Sequence, residues 1–333
     1  MDILLGKNGG FYKANLHCHS VKSDGRATVE ELKEEYKRRG YSVVAFTDHD
    51  AVFSNKHLND KDFLALTSFE LGIKENALES TLVNHRMKCV HLNLYSLSED
   101  NNVTPCYDPV YDKYKSKWSP EVRYEGVYER SFTPECINEI IKTAHERGFL
   151  VCLNHPSWSL LDATDYLKYE GFDMLEIVNF GCVQAGHADD ENVLNTMAMH
   201  GRFPYPVAAD DNHNLCGFDQ PHTDSFGGFV MIDAPRLDYD SIAAALRLGD
   251  FYASQGPGIY SIAKEERSVT VKCSAASSIF LCTDSRERKK ATARVGESVT
   301  EATFELGSTY DKFRIVIVDE KGRKAYSRFY NVN

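Results

Sequence analysis

Asn15-Leu16-His17-Cys18-His19-Ser20, followed by Ser23-Asp24-Gly25, is the stretch on which the reading of this chain turns. Two histidines at i and i+2 point to the same side of an extended segment. Neutral imidazole is a common ligand for zinc, manganese and iron. Asp24 follows on a glycine-containing turn, close enough to add an oxygen ligand. An H-x-H pair by itself is as often a half-exposed strand face as a metal site, so its company along the chain has to decide.

The pair ends a strand expected from Phe11 to Leu16. Thr28-Val29-Glu30-Glu31 reads as a capping box, and Val29, Leu32 and Tyr36 share one face of a helix that Gly40 ends. Tyr41 to Phe46 is a near-continuous apolar run, the mark of a strand buried on both faces, and it ends in Thr47-Asp48-His49-Asp50. The pattern repeats. Phe63 to Phe69 leads into Glu70, and Cys89 to Tyr95 contains His91. A helix opened by Thr133-Pro134 runs to Gly148, and the strand Phe149 to Leu153 ends in Asn154-His155-Pro156. Phe172 to Val178 contains Glu176 and ends near Asn179, followed by a helix from about Ala188 to His200. Pro206 to Ala209 ends in Asp210-Asp211-Asn212-His213, and Gly228 to Asp233 precedes a helix from Tyr239 to Leu248.

Alternating strands and helices with polar strand ends predict an α/β fold whose parallel sheet carries chemistry along one edge. About seven such units without a dinucleotide glycine motif favour a closed barrel over an open doubly wound sheet. Residues 96–131 break the rhythm with Tyr107, Tyr111, Tyr114, Trp118 and Tyr124. A connection this long reads as a lid-like, substrate-facing insertion, with a surface excursion or subunit contact as the alternatives. Gln255-Gly256-Pro257-Gly258 marks a boundary that closes a first domain at 1–255. Beyond it, short β-type runs and the hairpin signal Asp319-Glu320-Lys321-Gly322 predict a small antiparallel β-sandwich over 259–333.

The 333 residues carry a net charge of −11, with 42% hydrophobic and 26% charged residues. That balance argues against tight non-specific nucleic-acid binding, which needs Lys and Arg to displace counterions. Residues 264–333 hold 14 basic and 10 acidic side chains, and residues 1–263 hold 24 and 39, so the acidity lies in the first domain. There is no apolar run long enough for a membrane span, and Met1 to Tyr12 lacks the apolar core of a secretory leader. Nine cysteines without a C-x-x-C pair fit a reduced, cytoplasmic protein. Cys18 is expected to pack inward as a small apolar residue. The oligomeric state stays open.

Collected in order, the strand-end residues are His17, His19, Asp24, His49, Glu70, His91, His155, Asp211 and His213. Nine nitrogen and oxygen donors without a thiolate are too many for one metal and suit two or three divalent ions, with Glu70 able to bridge. The mixed set favours zinc, manganese or iron over calcium or magnesium. Clustered cations activate water near neutral pH and clamp the oxygens of a phosphoryl displacement. Phosphoester hydrolysis by a metal-activated hydroxide is the leading chemistry, and C–N bond hydrolysis is its neighbour.

His17-Cys18-His19-Ser20, Ser23-Asp24-Gly25, Thr47-Asp48-His49-Asp50, Glu70, Asn154-His155-Pro156 and Asp211-Asn212-His213 resemble the motifs of the PHP (polymerase and histidinol phosphatase) family. The resemblance spans roughly residues 11 to 250. It implies a distorted (β/α)7 TIM-like barrel with a two- or three-metal site held by the nine residues above, and phosphatase or exonuclease activity. Asp24, where a third histidine would otherwise stand, resembles the branch acting on small phosphoesters and nucleotides. The last segment resembles β-domains appended to bacterial members, from which no function carries over. Asp211 or His213 is a candidate to move a proton at the reacting group. Asp48 and Asp50 are expected to orient ligand histidines, with helix or turn capping as the alternative for Asp50.

Arg26, Arg86, Asn154 and Arg202 are the candidates for phosphate recognition, and Glu176 and Asn179 for substrate contact or ligand support. Each has a bland alternative as a solvated surface or satisfied loop residue. His222 and Asp224 are candidates to line the mouth. His57, His85, His145, His187 and His200 read as ordinary helix or surface histidines. The expected partner is a small phosphorylated substrate, a sugar phosphate or nucleotide. The competing readings are an exonuclease for short oligonucleotides, with bases stacked on the aromatic insertion, and a catalytically silent binding protein.

Overall fold

A computed structural model describes residues 1–78, 80, 82–83, 86–114 and 122–333; His85 and Trp118 lie outside them. The strands of the first part are β1 Asp2–Leu5, β2 Phe11–Cys18, β3 Val43–Phe46, β4 Leu64–Leu66, β5 Ser68–Lys74, β6 Cys89–Ser96, β7 Val103–Thr104, β8 Arg123–Tyr124, β9 Phe149–Leu153, β10 Met174–Asn179, β11 Tyr205–Ala209, β12 Phe229–Asp233 and β13 Phe251–Ser254. Then come β14 Ile259–Glu265, β15 Ser268–Ala276, β16 Ser278–Thr283, β17 Arg288–Thr292, β18 Val299–Glu305, β19 Lys312–Val318, β20 Lys324–Ser327 and β21 Tyr330–Asn331. The helices are α1 Val29–Arg38, α2 Pro134–Glu146, α3 Ala163–Tyr166, α4 Phe180–Gln184, α5 Glu191–Met199 and α6 Tyr239–Leu248. The fold is mixed α/β, with many strands and few helices.

Local chemistry sets the helix ends. The Glu31 amide donates to Thr28 Oγ1 at 3.2 Å and the Thr28 amide to Glu31 Oε2 at 2.8 Å, closing the capping box of α1. Thr133 caps α2 and Pro134 occupies its first turn. Gly249, at φ +66°, ends α6 in the left-handed conformation that favours glycine.

The expected closed barrel of parallel strands is not what forms. β2, β3 and β4 are parallel neighbours in one sheet. β5, β6, β9, β10 and β11 make a second, in which β5–β6 and β6–β9 are antiparallel and only β9–β10–β11 run parallel. The break falls at Thr67, inside the run expected as one strand. Its amide donates to the Tyr239 hydroxyl at 3.2 Å and its carbonyl accepts from Ser96, so it leaves the ladder and the chain crosses between sheets. β5 and β6 pair antiparallel from Ser68–Tyr95 to Lys74–Cys89, an arrangement that needs no crossover. Isolated bridges tie the two sheets at Cys18–Asn212 and His49–Glu70, both at ligand-bearing strand ends.

Alternating side chains of both sheets, including Leu16, Ala45, Leu66, Cys152, Met174 and Val207, fill the space between them. The outer face of the second sheet packs on α2 and α5. β14 and β15 pair with β1 and β18 in a separate four-stranded sheet, whereas β16, β17, β19 and β20 join the sheet of β2 through β13. Apolar residues of both layers, such as Ile262, Val271, Ile315 and Ile317, form the core between them. All nine cysteines are free thiols. Among the described residues, no helix is long and apolar enough to cross a membrane.

Candidate metal centre

A β-irregularity places the first two histidines. Ala14 and Leu16 face the core between the sheets, yet Cys18 lies buried among α1 residues. Strict alternation would put 14, 16 and 18 on one side; the register shift between Asn15 and Cys18 changes the parity. Asn15 holds the distorted backbone, accepting from the His17 amide at 3.3 Å and donating to the His17 carbonyl at 3.0 Å. His17 and His19 then enter the mouth together. Gly25 is required in the following turn, since a Cβ there would lie 2.4 Å from the His19 carbonyl oxygen.

The nine strand-end residues converge. Glu70 is buried at the centre: its Oε1 lies 3.3 Å from His17 Nε2, 3.1 Å from His91 Nδ1 and 3.4 Å from His155 Nε2. Its Oε2 lies 3.4 Å from His19 Nε2 and 3.1 Å from His49 Nδ1. Asp211 Oδ1 is 3.0 Å from Nε2 of both His17 and His19. Asp24 reaches His49 Nε2 and His213 Nε2, each at 3.4 Å.

These donors fall into overlapping groups: His17, His19 and Glu70; His17, His155 and Asp211; Glu70, His91 and His155; and His19, Asp24, His49 and His213. Metal–ligand bonds of about 2.0–2.1 Å imply donor–donor edges of roughly 2.8–3.4 Å across octahedral and tetrahedral sites, and most separations here lie in that span. The electrostatics agree. Burial by itself would raise the Glu70 carboxyl, but His91 and His17 hold it well below the usual carboxylate range. Burial likewise opposes ionisation of Asp211, and His17 and His19 override it. Against the cost of burial, Asp24 and Asp211 raise His213 to about 9. Against the cost of burial, facing carboxylates raise His17, His49 and His91 as well, whereas burial lowers His19; carboxylates that stay ionised among imidazoles suit cations.

A second layer fixes the donors. Glu176 Oε1 lies 3.0 Å from His17 Nδ1, and its Oε2 accepts from the His155 amide and from Asn179 Nδ2. Asn179 also donates to Asp211 Oδ2 at 2.9 Å, and Asn154 to Glu70 Oε1 at 2.8 Å. Glu176, Asn179 and Asn154, candidates for substrate contact, are thus bonded to the ligand set. Asp48 does not touch an imidazole; it accepts from Ser20 and Ser23, and Ser23 Oγ lies 3.4 Å from His19 Nδ1. Asp50 instead pairs with the buried Arg130 and accepts from the Gly72 amide. Asp224 accepts from the amides of His213 and Asn214, holding the last ligand loop.

The arginines are spread apart. Arg26 is exposed beside the site, its amide donating to the His213 carbonyl at 2.9 Å. Arg86 is exposed on the segment before β6. Arg202 is not at the mouth: it precedes β11 at the opposite strand end and donates to carbonyls of Tyr166, Leu167 and Tyr169. Its guanidinium lies over Phe172.

Sequence reasoning quoted Ser23 without a role and passed over Trp158, Ser159, Asp190 and Arg130. Ser159 Oγ lies 3.1 Å from His155 Nδ1, as Ser23 Oγ faces His19. The repeated His-x-x-x-Ser spacing was the available signal. Trp158 packs its ring on His155 and His91, at centroid distances of 4.9 and 5.5 Å. From the 96–131 insertion, Tyr114 stacks on His49 and Arg130 anchors to Asp50 and the Gly72 carbonyl.

Fold and site together define a mixed α/β protein with a buried cluster of histidines and carboxylates where its two sheets meet. No family model and no curated protein matches the chain. Among solved structures it is similar to a two-domain protein from Bacteroides vulgatus described as containing a predicted PHP-like metal-dependent phosphoesterase. The two share 15% identity, with 98% of each chain covered and a TM-score of 0.47. A candidate metal-dependent phosphoesterase from Bifidobacterium adolescentis aligns over 62% of this chain and 89% of its own, at 17% identity and a TM-score of 0.36. An amidohydrolase from Chromobacterium violaceum, with sulfate bound and no metal, aligns over 60% and 87%, at 13% identity and a TM-score of 0.37. The description of the Bacteroides protein names the PHP-like type that the motifs resemble. At such scores the chemistry of this chain rests on its own donor set.

Proposed function

We propose that the protein is a metal-dependent hydrolase that cleaves a phosphoester of a small phosphorylated molecule. One observation carries the reading: five histidines surround one buried carboxylate, Glu70, with Asp211 and Asp24 closing the groups. His17, His19, Glu70 and Asp211 would hold one divalent ion, Glu70, His91 and His155 a second, and Asp24, His49 and His213 a third. Zinc, manganese or iron suits these donors. Such ions, when bound, lower the pKa of water and offset phosphoryl charge.

The chain's own residues do the rest. Glu176 and Ser159 set the orientation of His17 and His155, while Asn179 and Asn154 donate to Asp211 Oδ2 and Glu70 Oε1 and so fix those carboxylates. In hydrolysis the oxygen of water bonds to phosphorus, the ester P–O bond breaks, and the departing oxygen takes up a proton. Asp211 or His213 would move that proton. Arg26 stands nearby for the phosphate. The catalytic part would lie within residues 1–255 and the β-domain within 259–333, with β1 contributed to the sheet of β14 and β20 paired to β13; the described residues of 96–131 would border the site. The free thiols accord with a cytoplasmic protein.

The test is a panel of sugar phosphates, mononucleotides, bisphosphonucleotides and short oligonucleotides after manganese or zinc loading. Release of phosphate from small substrates is expected. Activity confined to oligomers would move the assignment to a nuclease, and well under one metal per chain after loading would leave only the binding reading.

A further inference from the structure

We propose that Arg130 is a positioning residue for the metal centre: it clamps Asp50 to β5, holds His49 beside Glu70, and so sets the affinity of the one ion assigned to Asp24, His49 and His213. The inference rests on the metal-dependent reading of the cluster. His49 and Glu70 are joined by an isolated parallel bridge beyond the end of β3. The Glu70 amide donates to the Asp48 carbonyl at 3.2 Å, and the Asp50 amide to the Glu70 carbonyl at 2.7 Å. A parallel ladder would continue with the Gly72 amide on the Asp50 carbonyl and the Val52 amide on the Gly72 carbonyl. Side chains take over both rungs. Asp50 turns into the left-handed region at φ +61°, and its Oδ1 accepts from the Gly72 amide at 3.3 Å. Arg130 Nη1 donates to the Gly72 carbonyl at 3.0 Å, while the Val52 amide donates to Thr104 Oγ1 at 3.0 Å. The same Nη1 donates to Asp50 Oδ1, so one guanidinium locks both substitute rungs.

The clamp is itself firmly seated. Arg130 is fully buried along its side chain, and its Nε donates to the Cys106 carbonyl at 3.0 Å. Its amide donates to Asp108 Oδ2 at 2.9 Å, and its guanidinium lies over the Tyr111 ring at 5.4 Å. What it fixes is the ring of His49. Nδ1 of His49 lies 3.1 Å from Glu70 Oε2 and Nε2 lies 3.4 Å from Asp24 Oδ2, and both separations follow the backbone of 48–50. Without the guanidinium the buried Asp50 carboxylate loses its counter-charge, and the substitute rungs open. His17, Asp211 and His155 are held elsewhere, by Asn15, Asn179 and Ser159. The loss therefore falls on one ion and spares the others.

Manganese is titrated into the metal-stripped native chain, Arg130→Gln and Arg130→Lys, with Kd values read by chelator competition and ion content by elemental analysis after desalting. Arg130→Gln should weaken one ion by about 10- to 100-fold and retain one manganese fewer per chain, the remaining ions binding as in the native chain. Arg130→Lys keeps the charge beside Asp50 and loses the Nε bond, so its effect on that ion should be smaller. An equal weakening of every ion, or of none, would overturn the role, because a purely structural anchor would act on all sites alike. Urea unfolding of the metal-free variants shows whether each one folds. Should Arg130→Gln fail to fold, Arg130→Lys carries the test, with weakening of one ion expected and uniform or absent weakening overturning the proposal. The two readings fail separately. Loss of one ion from Arg130→Gln, in a protein whose native chain hydrolyses no phosphoester, keeps the positioning role and removes the hydrolase. Hydrolysis by a native chain whose metal binding Arg130→Gln leaves unchanged removes the positioning role alone.

Discussion

Glu176 Oε1 lies 3.0 Å from Nδ1 of His17, and this contact sets which nitrogen His17 presents to the cluster. With Nδ1 engaged, Nε2 is the atom that faces His19, Glu70 and Asp211. Glu176→Ala should therefore weaken divalent-metal affinity by about 10- to 100-fold, read by chelator competition. Glu176→Gln should lose less, because the amide keeps the shape. Unchanged metal affinity in both variants would show that the contact does not orient the ligand.

Glu70 is shared by more of the cluster than any other donor. His17→Ala, Asp211→Ala and Glu70→Gln should each lower turnover by several orders of magnitude and reduce bound metal, measured by elemental analysis beside a phosphate-release assay. Normal hydrolysis in any of the three would place the chemistry elsewhere.

Removing metal should destabilise the fold as well as silence it. A ligand at about 100 times its Kd stabilises by about 2.7 kcal/mol, so chelation should lower Tm by several degrees and re-addition of manganese or zinc should restore it. Differential scanning calorimetry with and without chelator reads this directly.

Away from the site, His145 Nε2 lies 2.8 Å from Asp173 Oδ2, and this hydrogen bond raises the imidazole above its ordinary 6.5. The charged pair stabilises the fold fully below the unfolded value near 6.5. That contribution is lost as pH rises through the higher folded value. The stability gap between the native chain and His145→Gln, from urea unfolding, should be widest in mild acid and shrink in alkali. The ring is 36% exposed, so solvent screening keeps the gap small. A gap that widened with pH would contradict the assigned charge.

Arg314 is almost fully buried, and its Nη2 reaches Glu191 at 2.7 Å and Asn195 at 3.0 Å; Lys324 meets the other Glu191 oxygen at 2.8 Å. These bonds join the C-terminal strands to α5, and Asp190, just before α5, holds Ser157. Glu191→Ala strands a buried guanidinium and should cost about 3 kcal/mol, with part of the loss recovered by adding Arg314→Met. Denaturant titration of the single and double variants tests the coupling. A double variant no more stable than Glu191→Ala would deny it.

The donor set was legible in the sequence because it depends on residue type and strand ends. His17, His49, Glu70, His155 and Asp211 each stand at or beside the end of an apolar run, and convergence follows once those ends meet. Helix limits were legible for the same reason: Thr28, Thr133 and Gly249 act on backbone groups within one turn. The direction of β5 and β6 was not, because strand pairing depends on contacts between distant residues, among them Thr67 giving its amide to Tyr239. Nor could chain order show that Arg202 serves carbonyls at the far strand end, or that Trp158 lies against two ligand rings. Sequence determined which groups can bind and where short-range bonds stop an element. Only the tertiary structure decided which sheet a strand joins and which side chains share the mouth, since those outcomes hang on contacts between residues far apart in the chain.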